Sequence, residues 1–235
     1  MLSPTASASA LTATTPDATK QSRRSSAKLT TGLWDSLRSE RLCWIPELGL
    51  GYLDAPPIPY DEHYFGNYAA LADTDIGRRL NAARVAMLRR HWSGTVGAVV
   101  DIGIGAGTFV QAAGVKGFDI NPVGVAWLKE RGLFVDPYRA PIDVACCWDV
   151  IEHISDPGPL LDNVRERVLV SVPIFRDAEH VLHSKHQKKG EHFWYFTERG
   201  FLWFMDAHGW KVVETNDYES VIGREDIMSY AFARL

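Results

Sequence analysis

From residue 75 to residue 172 the chain alternates short, nearly continuous apolar runs with stretches whose apolar positions recur every three to four residues. Leu80, Val85 and Leu88, with Arg84 on the same face, predict a helix over 75–91. The run 96–102 predicts a buried strand, and 108–113 a helix directly after it. The pair repeats as a very short strand over 117–120 and a helix over 123–131. A third strand over 133–135, a fourth over 144–148, a helix over 160–167 and a fifth strand over 168–172 complete the series. Strands that alternate with helices in this way imply a parallel sheet with helices on both faces.

The carboxyl-terminal part reads differently. Thr197 is a good helix cap, Glu198 suits the first turn, and Gly209 is the stop. Two strand-like runs follow, 210–215 and 227–234, with no helical pattern between them. Consecutive strands that pair directly do so antiparallel. The expected fold is therefore α/β: a doubly wound, Rossmann-like, mostly parallel seven-stranded sheet ending in an antiparallel hairpin.

Three regions are expected along the 235 residues. Residues 1–30 are rich in Ser, Thr and Ala with few large apolar side chains, and predict a disordered tail. Asp17 against Lys20, Arg23, Arg24 and Lys28 also fits an organelle transit peptide, but no apolar stripe accompanies the charges. Residues 31–92 predict a lid and helical segment, and 93–235 the ligand-binding domain. A net charge of -4 gives no global attraction to nucleic acid or to an anionic membrane. The three cysteines form no CxxC pair, which leaves no disulfide framework or metal knuckle, and a reducing, cytoplasmic setting is expected. No apolar run reaches the roughly 20 residues of a membrane span.

The chemistry-bearing text begins at Asp101-Ile-Gly-Ile-Gly-Ala-Gly-Thr-Phe, after a strand and at the start of a helix. Gly103, Gly105 and Gly107 allow positive φ in a tight turn and let a ligand lie against the backbone. The GxGxG spacing departs from the GxGxxG or GxGxxA that a dinucleotide pyrophosphate requires. It suits a ligand without phosphate. Asp119, ending the second strand, is placed to accept both ribose hydroxyl hydrogens of an adenosine. Asp136, after the third strand, is placed either to accept from an adenine amino group or to form a turn before Pro137. Asp101, at the loop entrance, suits a ligand ammonium or the loop amides.

These motifs, with GFDINP, CCWDVIEHISDP and LVSVP, resemble the class I S-adenosylmethionine-dependent methyltransferases. The likeness spans about residues 60–235 and is nearest the branch with ubiquinone-biosynthesis O-methyltransferases. It implies S-adenosylmethionine as cofactor, held by Asp101, Gly103, Gly105, Gly107, Asp119 and Asp136, with Trp148 and Asp149 beside them. It further implies that Arg84 meets the cofactor carboxylate and that Tyr64 or Tyr68 closes a lid. The implied activity is methylation of a small molecule, with an O-methyl product favoured.

Methyl transfer from a sulfonium needs mainly proximity and alignment. A base is required when the acceptor must first lose a proton. His153 is the first candidate, with Glu152 as its orienter or as a metal ligand; a purely structural pair is the alternative. His192 is the second, inside Glu191-His-Phe-Trp-Tyr-Phe196, which reads either as a pocket wall for a planar acceptor or as core. The histidines of 180–192 match no zinc spacing, so no metal is expected. Two other functions compete. A nucleotide or nucleic-acid methyltransferase lacks support from the charge and from any NPPY or DPPY motif. A non-catalytic scaffold on the same fold is disfavoured because every cofactor-facing group is kept.

Overall fold

A computed structural model describes residues 42–53, 66 and 70–235. The expected tail over 1–30 and the lid tyrosines Tyr64 and Tyr68 lie outside the described residues.

Helix α1, Asp75–His91, forms where the apolar spacing places it. Its Thr74 hydroxyl accepts from the Gly77 amide at 3.0 Å, Asp75 sits at the positive end of the helix dipole, and Arg89, Arg90 and His91 sit at the negative end. Leu80, Val85, Met87 and Leu88 point into the core.

Strands β1 (Cys43–Ile45) and β2 (Leu50–Tyr52) precede α1; β3 (Val99–Ile102) follows it. The chain continues through α2 (Thr108–Ala113), β4 (Lys116–Phe118), α3 (Pro122–Glu130) and β5 (Ile142–Trp148). Then come α4 (Gly158–Asp162), β6 (Val164–Pro173), α5 (Ala178–His183) and β7 (Trp194–Phe196). Helix α6 (Glu198–Ala207), β8 (Trp210–Asn216), α7 (Tyr218–Val221) and β9 (Ile227–Arg234) end the chain.

Among the described residues the main sheet has the order β4-β3-β5-β6-β9-β8. Its first four strands are parallel, and β9 runs antiparallel to both β6 and β8. The expected third strand, 133–135, survives as one parallel bridge, Gly117 to Phe134, which makes the seventh strand of the expected sheet a vestige. Pro137 follows at once and removes a donor, while Asp136 turns back on its own backbone, so the ladder stops.

Three other expectations change. Residues 96–98 form a 3₁₀ turn and β3 begins at Val99. The helix expected over 160–167 ends at Asp162, and Val164–Arg167 enter β6, where pairing with β5 outweighs the helical spacing of 160, 161 and 164. The short helix α7 lies between the last two strands, where none was expected.

A second sheet, β1-β2-β7, has no counterpart in the sequence pattern. It joins residues 43–52 to Trp194–Phe196 in antiparallel register, Gly51 opposite Tyr195. Thr197 fixes the junction: its amide and hydroxyl donate to the Gly49 carbonyl, and its hydroxyl accepts from Gly200 to cap α6. Tyr195, Phe196, Phe201, Trp210, Tyr230 and Phe232 are fully buried. Of the two readings of the aromatics at 194–196, pocket wall or core, the structure gives core.

Candidate active site

Strand β3 pairs with β4 on one side and β5 on the other, so the chain order reverses there. Ligand crevices in open α/β sheets form outside the carboxyl ends of strands at such a point. A crevice is found there, bordered by the glycine loop, the end of β4 and the turn after β5.

Gly103 and Gly105 line its floor at φ of 69° and 53°, the left-handed region open mainly to glycine. A Cβ at Gly103 would stand 2.8 Å from Val150, closing the floor against the opposite wall. Gly107 serves the fold instead. At φ 75° it starts α2, and its open face receives the Trp127 ring. It does not line the crevice as expected.

Asp119 stands on the rim just past β4, its carboxylate accepting from the Asn121 amide at 2.8 Å. Burial raises its pKa, and bonds from the backbone of Asn121, Ile104 and Ile120 oppose the rise. Asp101 lies behind the loop on β3 and is buried, with Oδ1 lacking a hydrogen-bond partner among the described residues. Burial holds its carboxyl well above the ordinary range; Arg84 opposes this and Asp119 adds to it. Asp136 does not reach the crevice. It accepts from the Tyr138 amide at 3.0 Å and pairs with Arg139 at 3.2 Å, the turn-forming alternative.

The apolar half of the crevice was not among the expected site residues. Phe118, Ile120, Tyr138 and Val150 line it, with Tyr138 edge-on to Phe118 at 5.6 Å. Large apolar side chains placed immediately after short strands are the signal that marks them, and it is weaker than that of the neighbouring acids.

Trp148 and Asp149 end β5 at the crevice as expected. Arg84 does not. Its guanidinium lies 5.1 Å over the Trp148 ring and donates to Asp149 at 2.9 Å, to Ser171 at 3.1 Å and to both oxygens of Glu219 at 2.9 and 3.1 Å. Its guanidinium is held by its own acids, Asp149 and Glu219. Arg224 donates to Asp149 at 2.9 Å and to Glu219, closing a four-charge network. Burial alone would raise the Asp149 pKa, but Arg224 and Arg84 outweigh it and hold the carboxyl well below the usual range. The same network fixes Asp149 at φ 59°, a left-handed backbone that turns the chain into the Ile151–His153 helical turn.

That turn brings His153 to the crevice wall. His192 packs edge-on against it, ring centroids 4.4 Å apart, because the Phe193 amide donates to the Glu152 carbonyl at 2.8 Å. His192 is buried and does not line the crevice. Burial, with Lys188 nearby, lowers the His153 pKa to about 4, and burial beside His153 lowers that of His192 to about 2. Both rings are therefore neutral at pH 7, and the same burial makes each a weaker base than a free imidazole. The remaining loop histidines are in structural bonds: His183 to Glu179, His186 to the Glu225 carbonyl, His180 to Asp226.

Comparison with known proteins agrees with this geometry. A family model described as a methyltransferase domain matches residues 72–215, more than half of the chain, and the chain belongs to that family. No curated protein matches the sequence. Magnesium protoporphyrin IX methyltransferase from Synechocystis PCC 6803, with bound SAH, is similar at 14% identity over 74% of this chain and 95% of its own, TM-score 0.52. A Thermotoga maritima S-adenosylmethionine-dependent methyltransferase, described as a possible histamine N-methyltransferase, gives 15% identity, 74% and 98% coverage and TM-score 0.54. The [4+2]-cyclase SpnF also matches, at 13% identity, 77% and 98% coverage and TM-score 0.51. Identities this low speak for the fold alone, and fold alone does not give a reaction. The family match carries the class: the chain holds a methyltransferase domain, built on the fold of the S-adenosylmethionine-dependent enzymes it resembles. Among the described residues no helix is long and apolar enough to cross a membrane.

Proposed function

We propose that the chain transfers the S-adenosylmethionine methyl group to an oxygen of a small molecule. The observation that carries this reading is the crevice itself, lined by the loop glycines Gly103 and Gly105, the acid Asp119 and the imidazole of His153. Gly103 and Gly105 would let the donor lie on the backbone, Asp119 would accept the ribose hydroxyls, and Phe118, Ile120 and Tyr138 would flank the adenine. When bound, the donor supplies an electrophilic methyl group. His153 takes the acceptor proton, and Trp148 and Val150 keep water from the reacting line. Small-molecule acceptors are also what the protoporphyrin enzyme's name describes, which supports the same reading here.

Methyl transfer from labelled S-adenosylmethionine to a panel of hydroxylated aromatic compounds, with amines and RNA alongside, tests this. Label on a hydroxylated aromatic supports the proposal; label only on RNA or amines contradicts it.

Asp119→Ala should weaken S-adenosylhomocysteine binding by about 1.5–3 kcal/mol, the range for hydrogen bonds to a charged group. Affinity in the wild type should fall with acidification, because the ionised carboxylate is the acceptor. The loss should begin above the ordinary Asp value of about 3.9, since burial raises Asp119. Isothermal titration across pH checks both; unchanged affinity in the variant would remove Asp119 from the donor site.

A further inference from the structure

Glu152 is fully buried, and neither carboxylate oxygen has a hydrogen-bond partner among the described residues. A buried carboxylate left in this state is costly unless something charged or donating completes it. Burial and the nearby Asp149 charge hold its carboxyl well above the ordinary range, and its own backbone amide, Arg224 and Lys188 oppose this only in part. Two imidazoles stand beside it: one ligating atom each from Glu152, His153 and His192 all lie within 4.8 Å of one another. His192 adds a second orphan, its buried Nδ1. The three groups are brought together by the turn after β5 and by the Phe193–Glu152 backbone bond, which seats His192 against that turn.

We infer that Glu152, His153 and His192 form a binding site for one divalent transition-metal ion at the acceptor side of the crevice. Two neutral nitrogens and one carboxylate oxygen suit Zn²⁺, Co²⁺, Mn²⁺ or Fe²⁺ better than Mg²⁺ or Ca²⁺, which prefer oxygen ligands. Metal–ligand distances of about 2.0–2.2 Å put tetrahedral ligands roughly 3.3–3.6 Å apart. The three side chains therefore close by about an ångström on binding, within the reach of rotamer adjustment. Three protein ligands leave coordination positions open, as in catalytic rather than structural sites. His153 lines the crevice, so the open positions are expected on that side, where an acceptor hydroxyl can coordinate. A metal there would lower the hydroxyl pKa and fix its oxygen in line with the methyl group; His153 would then serve as ligand in place of base, and the proton would leave to solvent. Asp149 is not a ligand, because Arg84 and Arg224 hold it.

This inference rests on the proposed acceptor site, but binding of metal is read independently of methyl transfer. Full-length protein, stripped with EDTA, is titrated with Co²⁺ while visible absorption is recorded. The expected result is one Co²⁺ per chain with d–d bands of low-coordinate nitrogen and oxygen ligation. Glu152→Gln and His192→Ala should each weaken it at least about 100-fold, and Asp206→Asn, an exposed control, should not change it. A crystal soaked in Co²⁺ gives the second reading, free of any folding defect in the variants. An anomalous peak between the three side chains supports the site. No saturable Co²⁺ binding by the wild type, retained affinity in both variants, or a peak elsewhere overturns it. Metal binding without any methyl transfer would overturn the proposed function and leave the metal site standing.

Discussion

His153→Ala is expected to slow methyl transfer by about 10²–10⁴-fold, the range for losing a general base, while leaving S-adenosylhomocysteine affinity nearly unchanged. A phenolic hydroxyl near pKa 10 is mostly protonated at pH 7 and is a poor nucleophile until the proton leaves. His153 is the one imidazole bordering the crevice among the described residues; burial keeps it neutral but also weakens it as a base, so its role rests on its position at the crevice. His192→Ala should cost less if it acts only by packing on His153, and about as much if both rings hold a metal. Single-turnover kinetics with each variant separates chemistry from binding. Full turnover in His153→Ala would mean that alignment alone drives the reaction; lost donor affinity would move His153 to the donor side.

The second large effect is on stability. Glu219→Ala should destabilise the fold by about 3–5 kcal/mol, the cost of stranding a buried charge. Glu219 is only 2% exposed and receives both Arg84 and Arg224, so its removal leaves two guanidiniums sharing Asp149. Glu225 provides the contrast. Its carboxylate pairs with Lys185 at 3.3 Å, but both side chains are exposed and screened by water, so Glu225→Ala should cost under about 1 kcal/mol. Urea denaturation of the two variants decides. Equal losses would show that the buried network contributes no more than a surface pair.

Much of the sheet was legible because its signals are local. The helix at Asp75–His91, the glycine loop and the antiparallel end each follow from spacing, a cap or a stop within a few residues. The small sheet was not legible, because β2 meets β7 across more than a hundred residues of chain and three-residue strands leave no period. The site divides in the same way. Gly103, Gly105, Asp119, Trp148, Asp149 and His153 reach the crevice, since each sits at a strand end that its neighbours announce. Arg84 and Asp136 do not, because their partners, Glu219 and the Tyr138 amide, are set by tertiary contacts and turn geometry. Likewise, nothing in the spacing from Glu152 to His192 shows that a backbone bond brings them together.

Every role given to the crevice at the ends of β3 and β4 depends on its holding an adenosyl donor rather than a dinucleotide. Isothermal titration with S-adenosylhomocysteine and, separately, with NAD distinguishes the two. One S-adenosylhomocysteine should bind per chain, weakened by Asp119→Ala, and NAD should give no heat. Saturable binding of NAD with none of S-adenosylhomocysteine would refute the assignment of the crevice.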